Sequence, residues 1–477
     1  MSYKHGVYVG EQSTSVITPL NGTAGLQVVI GTAPVNMAAS TSGVLEPKLI
    51  HSFTEAKATL GYSDDFDSYT LCQSIDASFR VFNIAPIVLI NVLDPDKHKT
   101  EVAEKTLTVE DSKVIITETK ETKEVPVKGV LLDTVQIFDA EGTAISSENY
   151  KLSFGPDGEA VVTLLGTDKT VTVSYSKITP EAVTKDDIVL GFEKIREVYP
   201  RFGYTPGLIL VPGWSGDANV AAALQAKTTA INGVFTAECL IDIPADKTGA
   251  TDYSGVKTAK ESLGVDGEHA TACWPMALIG DKKYYMSALI AALIAYTDAQ
   301  NGDVPYVSPS NKSLNITGTC LADGTKVLLD QEQANDINSF GVVTALNING
   351  YRCWGNNTAI YPFSTDPKDR WISVRRFFTW RANSLVLTYF QKVDNPANYR
   401  LIESIVDSEN IVGNSFVAQG YCGGYRVEFR SDENPVTSLL DGTIKFHLYM
   451  APFPPAEDIE FVLEFDTTAL STALTGE

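Results

Sequence analysis

The sequence predicts a multidomain layered α/β protein with an inserted small β-sandwich or barrel module, an α+β C-terminal domain and extended terminal arms. Three observations carry this expectation. Short apolar runs such as LQVVI at 26–30 and LILV at 208–211 alternate with segments of helical period, the rhythm of an α/β sheet. Residues 94–177 hold 16 acidic residues and 10 lysines with no Arg, Cys or Trp, against 20% charged residues in the whole chain, so a separate module interrupts that rhythm. Finally, the chain closes on two alternating apolar segments, 444–450 and 459–465, separated by a proline-rich break at 452–455.

Residues 1–20 read as an arm, with weak strand character at 3–9 and a polar, uncapped stretch after it. The run at 26–30 stops at Gly31 and reads as a buried strand. Ser52 with Glu55 three residues later, and Gly61 beyond, bracket a short helix. A second helix is predicted over 69–82 and a buried strand over 87–93. Within 94–177 the β patterns are 106–109, 113–117, 134–138, 150–154, 160–164 and 170–175, parted by turns such as Pro156-Asp157-Gly158.

The α/β pattern resumes at Thr184, where Asp186 and Asp187 favour a helix start and Ile188, Phe192, Ile195 and Val198 make an apolar stripe. Strand 208–211, helix 218–231, strand 234–240, a helix near 255–263, strand 271–277 and an almost wholly apolar helix at 283–298 follow. These assign one discontinuous domain to 21–93 and 178–350. The C-terminal domain, 351–458, has one or two helices in 368–390, another in 396–412, a strand at 425–429 and the strand at 444–450. Residues 459–477 form a last strand and a small-residue tail, so Ile459, Phe461, Leu463 and Phe465 make either an edge of their own domain or a strand lent to another subunit.

Bulk properties exclude several functions. A formal charge of -22 argues against a general nucleic-acid binder. Eight of the eleven arginines, at 352, 370, 375, 376, 381, 400, 426 and 430, are nevertheless concentrated in the C-terminal domain. There Arg375 and Arg376 lie among Trp371, Phe377, Phe378 and Trp380, a composition that suits a protein interface. The six cysteines are scattered without a C-x-x-C pair, which predicts free thiols in a reduced compartment. The N-terminus predicts no secretory signal, and the apolar run 286–294 is too short to span a bilayer, so a soluble intracellular product is expected.

Catalytic constellations are missing. None of the five histidines belongs to a metal-binding motif, and His269 and His447 read as an ordinary loop and an ordinary strand residue. The phrase at 318–326 lacks phosphate-loop spacing, and Gly213-Trp214-Ser215-Gly216 has Asp217 where a nucleophile elbow needs glycine. No catalytic residue, cofactor or metal is therefore assigned.

In order, HGVYVGEQSTS at 5–15, VVIGTAP at 28–34, LVPGW at 210–214, PYVSPSN at 305–311, WGNNT at 354–358, WISVRR at 371–376 and the closing GTIKFHLYMAPFPPAEDIEF resemble the tail sheath proteins of contractile-tailed phages and of phage-tail-like bacteriocins. The resemblance implies a subtilisin-like α/β domain without the catalytic triad and a C-terminal domain facing the tail tube. It further implies a structural subunit that stacks with itself as hexameric rings around the tail tube protein and meets baseplate and tail terminator proteins. No direct nucleic acid and no stable membrane insertion are implied; the particle is a virion tail or its relative, assembled in the bacterial host cytoplasm. By the same resemblance Val7 and Val9, with Ile459, Phe461, Leu463 and Phe465, pair as strands between subunits, while Arg375 and Arg376 face the tube or a neighbouring subunit. An α/β metabolic enzyme and a surface-binding particle protein presenting 94–177 remain alternatives at this point.

Overall fold

The computed structural model describes residues 20–21, 23–120, 122–166 and 170–475. Its centre is an eight-stranded sheet in the order Tyr351–Trp354, Val342–Asn347, Ala270–Cys273, Glu238–Asp242, Leu208–Leu210, Gln27–Gly31, Ile87–Asn91, Lys48–Ile50. The six inner strands run parallel, and one antiparallel strand closes each edge. Such a sheet needs cover on both faces, which is why its strands are continuous apolar runs rather than alternating ones.

Strand Gln27–Gly31 shows how the two layers attach. Gln27 Nε2 donates to Ser78 Oγ at 3.0 Å, and the Gly31 Cα lies so close to Thr70 that a Cβ there would sit 2.3 Å from its hydroxyl. Ile30, pointing the other way, packs on Gly191, where a Cβ would come within 2.5 Å of the isoleucine side chain. Glycine at 191 thus allows helix Lys185–Phe192 to approach one face while Thr70–Asp76 and the π-helical turn Ala77–Val81 cover the other. Helix Met286–Gln300 packs with the second group and is buried along nearly its whole length.

Residues 99–178 carry their own apolar cluster. One three-stranded sheet orders Gln136–Phe138, Thr170–Ile178 and Lys99–Thr108; another orders Tyr150–Phe154, Ala160–Leu164 and Lys113–Ile115. Leu107, Ile137, Val171 and Val173 of the first meet Val114, Val162 and Leu164 of the second. Outward positions are the lysines and acids that set this stretch apart in composition.

Several sequence expectations shift. The segment expected as one strand over 271–277 divides at Pro275, which has no N–H for a ladder. Ala270–Cys273 stays in the central sheet, whereas Met276–Ile279 joins a separate antiparallel sheet with Lys282–Tyr284, Gly318–Cys320 and Lys326–Val327. The strand expected at 234–240 starts later, at Glu238–Asp242, because left-handed residues Ala230, Asn232 and Gly233 turn the chain after helix Ala218–Ala226. The C-terminal part contains helices Ile372–Tyr389 and Tyr399–Ala418 against a two-stranded sheet, Cys422–Phe429 with Phe446–Pro452. Residues 453–466 form no strand.

Candidate subunit interface

Helix Ile372–Tyr389 joins the C-terminal elements to the central sheet through a row of polar contacts spaced along one face. Arg376 Nη1 donates to Asp298 Oδ1 at 3.0 Å, and its Nη2 donates to Oδ2. Both side chains are buried, at 5% and 1% exposure. Thr379 Oγ1 donates to Glu238 Oε1 at 2.6 Å. Asn383 accepts from the Thr236 N–H at 3.0 Å and donates to the Thr236 carbonyl at 2.7 Å. Positions 376, 379 and 383 are three and four apart, so one helical face carries the whole row.

Arg376, expected from the resemblance to face the tube or a neighbouring subunit, is buried within the single subunit. Its guanidinium pairs with the buried Asp298 carboxylate near the end of the apolar helix Met286–Gln300. Arg375 is also mostly covered, at 13% exposure, and its Nη1 donates to Asp369 Oδ1 at 3.0 Å. Residues 23 and 24 reach the same corner: Asp303 Oδ1 accepts from the Thr23 and Ala24 N–H groups, each at 2.8 Å, and its own N–H donates to the Asp298 carbonyl.

A second buried cluster unites the C-terminal helices with their sheet. Arg381 Nε donates to the Tyr425 hydroxyl at 2.7 Å and its Nη2 donates to Glu409. Glu409 also accepts from Tyr425 at 2.8 Å and from Tyr389 at 2.6 Å. Burial raises the pKa of Glu409, yet the hydrogen bonds from Tyr389, Arg381 and Tyr425 outweigh it and hold the carboxyl below its ordinary value. Helix Tyr399–Ala418 can lie against this sheet because it carries Gly413, where a Cβ would overlap the Tyr425 ring at 2.0 Å.

The two-stranded sheet has unequal edges. Asn410 Oδ1 accepts from the Val427 N–H at 2.9 Å and Asn410 Nδ2 donates to the Val427 carbonyl at 3.1 Å, so the outer edge of Cys422–Phe429 is plugged by a side chain. Among the described residues no backbone hydrogen bond reaches the outer edge of Phe446–Pro452. Beyond it, Ile459, Phe461, Leu463 and Phe465 are 69%, 83%, 93% and 77% exposed. The alternation predicted for a strand is present, but among the described residues no strand receives it. Val7 and Val9 lie outside the described residues.

The residues weighed for chemistry have structural partners. Ser215 is fully buried; its Oγ accepts from the Asp242 N–H at 3.0 Å. The Asp242 carboxylate in turn receives the Ser287 N–H at 2.8 Å and the Ser287 hydroxyl at the start of helix Met286–Gln300. Asp217 caps helix Ala218–Ala226. His269 Nδ1 lies 3.2 Å from both oxygens of Glu238, in the row that holds the C-terminal helix. His447 Nδ1 lies 3.0 Å from Glu433 on the small sheet. Among the described residues no group of three or more His, Cys, Asp or Glu could hold a metal ion, and no helix is long and apolar enough to cross a membrane.

No family model matches the chain. It is 24% identical over 500 residues to the tail sheath protein of Burkholderia phage BcepMu, covering 100% of this chain and 99% of that one. It is 25% identical over 290 residues to a putative prophage major tail sheath protein of Pseudomonas aeruginosa strain UCBPP-PA14, covering 60% of this chain and 71% of the relative. A chain from the cryo-EM structure of the anti-feeding prophage baseplate shares the fold with a TM-score of 0.60 at 15% identity, over 98% of this chain and 100% of that one. A chain from the PVC sheath complex in the contracted state, an extracellular contractile injection system, gives 0.58 at 14% identity over 99% of both. The resemblance to contractile tail sheath proteins thus runs from one end of the chain to the other.

Two outcomes follow from the buried charges. Arg376→Met leaves Asp298 buried and unpaired and is expected to cost about 3–5 kcal/mol, whereas Arg376→Met with Asp298→Leu recovers most of it; thermal melting of the subunit checks both. Burial pushes Asp242 up to about 6 from 3.8. The folded chain then holds this proton more tightly than the unfolded chain, so the contribution is complete below about pH 4 and is lost as pH rises through about 6. Melting curves between pH 4 and 7 should show Asp242→Asn losing that part of the slope, on the order of 3 kcal/mol in the wild-type chain.

Proposed function

We propose that this chain is the structural subunit of a contractile tail sheath in a phage tail or a phage-tail-like particle. It polymerises as stacked six-subunit rings around a tail tube and shortens to drive that tube through a bacterial envelope, with no catalytic step of its own. The central α/β sheet is, in this reading, a protease-like scaffold that serves assembly. The observation that carries the proposal is the apolar run Ile459, Phe461, Leu463 and Phe465, exposed in a chain that resembles sheath proteins over its full length.

An exposed alternating run beside an open edge is a pattern that strand addition satisfies. The receiving edge is Phe446–Pro452 of a neighbouring copy, because Asn410 blocks the opposite one. Val7 and Val9 of another arm add to the same kind of joint. Burying four apolar side chains yields roughly 1.5–3 kcal/mol each. Fixing the seven residues 459–465 costs roughly 1–2 kcal/mol apiece in backbone entropy. The two nearly cancel, so one joint is weak and the polymer holds through many joints at once.

Electron microscopy of the purified protein should show long hollow tubes. Truncation after Asp458 is expected to abolish them and leave a folded, soluble subunit with unchanged melting temperature. Intact tubes from the truncated chain would overturn strand donation.

A further inference from the structure

The segment that leaves the C-terminal sheet does not leave freely. Arg370 Nη2 donates to Glu457 Oε2 at 2.9 Å, five residues past the last residue of strand Phe446–Pro452. Asn356 Nδ2 lies 3.5 Å from the other oxygen of the same carboxylate. These contacts close one side of a polar groove of about 590 Å³, whose walls include Asn335, Trp354 and Tyr361 and whose rim carries Pro455 to Ile459.

Arg370 is prepared for this partner. Its guanidinium lies 4.0 Å from the Trp371 ring and 4.4 Å from the Tyr361 ring, and its Nε donates to Asn357 Oδ1 at 2.7 Å. The Asn357 side chain is buried, so the arginine stays in place whether or not Glu457 is bound. Glu457 and Arg370 are 36% and 23% exposed, which makes their pair accessible to water and reversible. On the tail the clip is one carboxylate; on the body it is a rigid, stacked cation.

We propose that the Glu457–Arg370 pair is a clip that sets the reach of the C-terminal arm, an inference that rests on the sheath reading for its consequence but not for its geometry. With the clip closed, only residues 458–466 extend from the body, spanning at most roughly 30 Å. With it open, the free segment begins after Pro452 and spans roughly 46 Å. Closure also removes part of the conformational freedom that strand addition must otherwise suppress, so it favours joining. Opening gives an already joined arm about 16 Å more slack, the difference of the two spans, when the bodies move apart.

The six native cysteines are buried, so introduced cysteines accept spin labels selectively. Labels at Glu332→Cys and Glu464→Cys, diluted into excess unlabelled protein, report the distance from groove to arm in the unassembled full-length subunit. The expected result is a narrow distribution that becomes at least twofold broader and longer in Glu457→Ala, while Asp458→Asn keeps the parent's distribution. A parent distribution as broad as that of Glu457→Ala overturns the clip. So does broadening in Asp458→Asn equal to that in Glu457→Ala, since the effect is then not specific to the pair. Electron microscopy of the unlabelled parent after polymerisation separates the two claims: absence of tubes contradicts the sheath reading, while the distances in the unassembled subunit still decide the clip.

Discussion

The buried pair between Arg376 and Asp298 is the constraint from which the arrangement of the chain follows. A buried ion pair adds little net stability over an apolar core, but either partner alone in that place is costly. The pair therefore works as a geometric condition: helix Ile372–Tyr389 docks where Arg376 meets the end of helix Met286–Gln300, or it leaves an uncompensated charge. Thr379 and Asn383 continue the same row and fix the helix along its length. The C-terminal sheet, and the point where the last segment exits, are set relative to the central sheet by this docking. Thr23 and Ala24 reach the same corner through Asp303, so the start of the described chain is tied to the same frame.

Within that frame the chain divides its apolar residues between two uses. Those of the central sheet and of the inserted module satisfy themselves in two separate clusters. Those at 459–465 do not, and their exposure has an energetic reading. Because burial and ordering nearly offset for one such segment, the proposed contact between copies would be weak singly and strong only as a repeated lattice. A weak, repeated joint on a rigid body suits a structure that must keep its connections while its subunits change position.

Much of the fold was legible because buried parallel strands are unusually plain in sequence: residues 26–30, 87–93 and 208–211 contain almost nothing but apolar side chains, and each became a strand of the central sheet. The failures have specific causes. Segment 271–277 read as one strand because its composition does not change at Pro275, although the missing N–H there was a usable sign. Arg376 read as a surface residue because arginines seldom lie buried, and its partner is 78 residues away. Asp298, a lone acid at the end of an apolar helix, was the one hint. The clip was invisible for the same reason, since Arg370 and Glu457 are 87 residues apart. By contrast, the alternation at 459–465 was legible, and what the structure adds is that no strand among the described residues uses it.

The central claim is that residues 459–466 belong to a sheet that only a second copy completes. Amide hydrogen exchange on the full chain, before and after polymerisation, tests it most directly. In the unassembled subunit these amides have no backbone acceptor among the described residues and should exchange at near-unprotected rates. In the assembled form alternate amides of the segment, and those of Phe446–Pro452 that face outward, should both slow by orders of magnitude. Equal exchange of the segment in the two states would contradict the account.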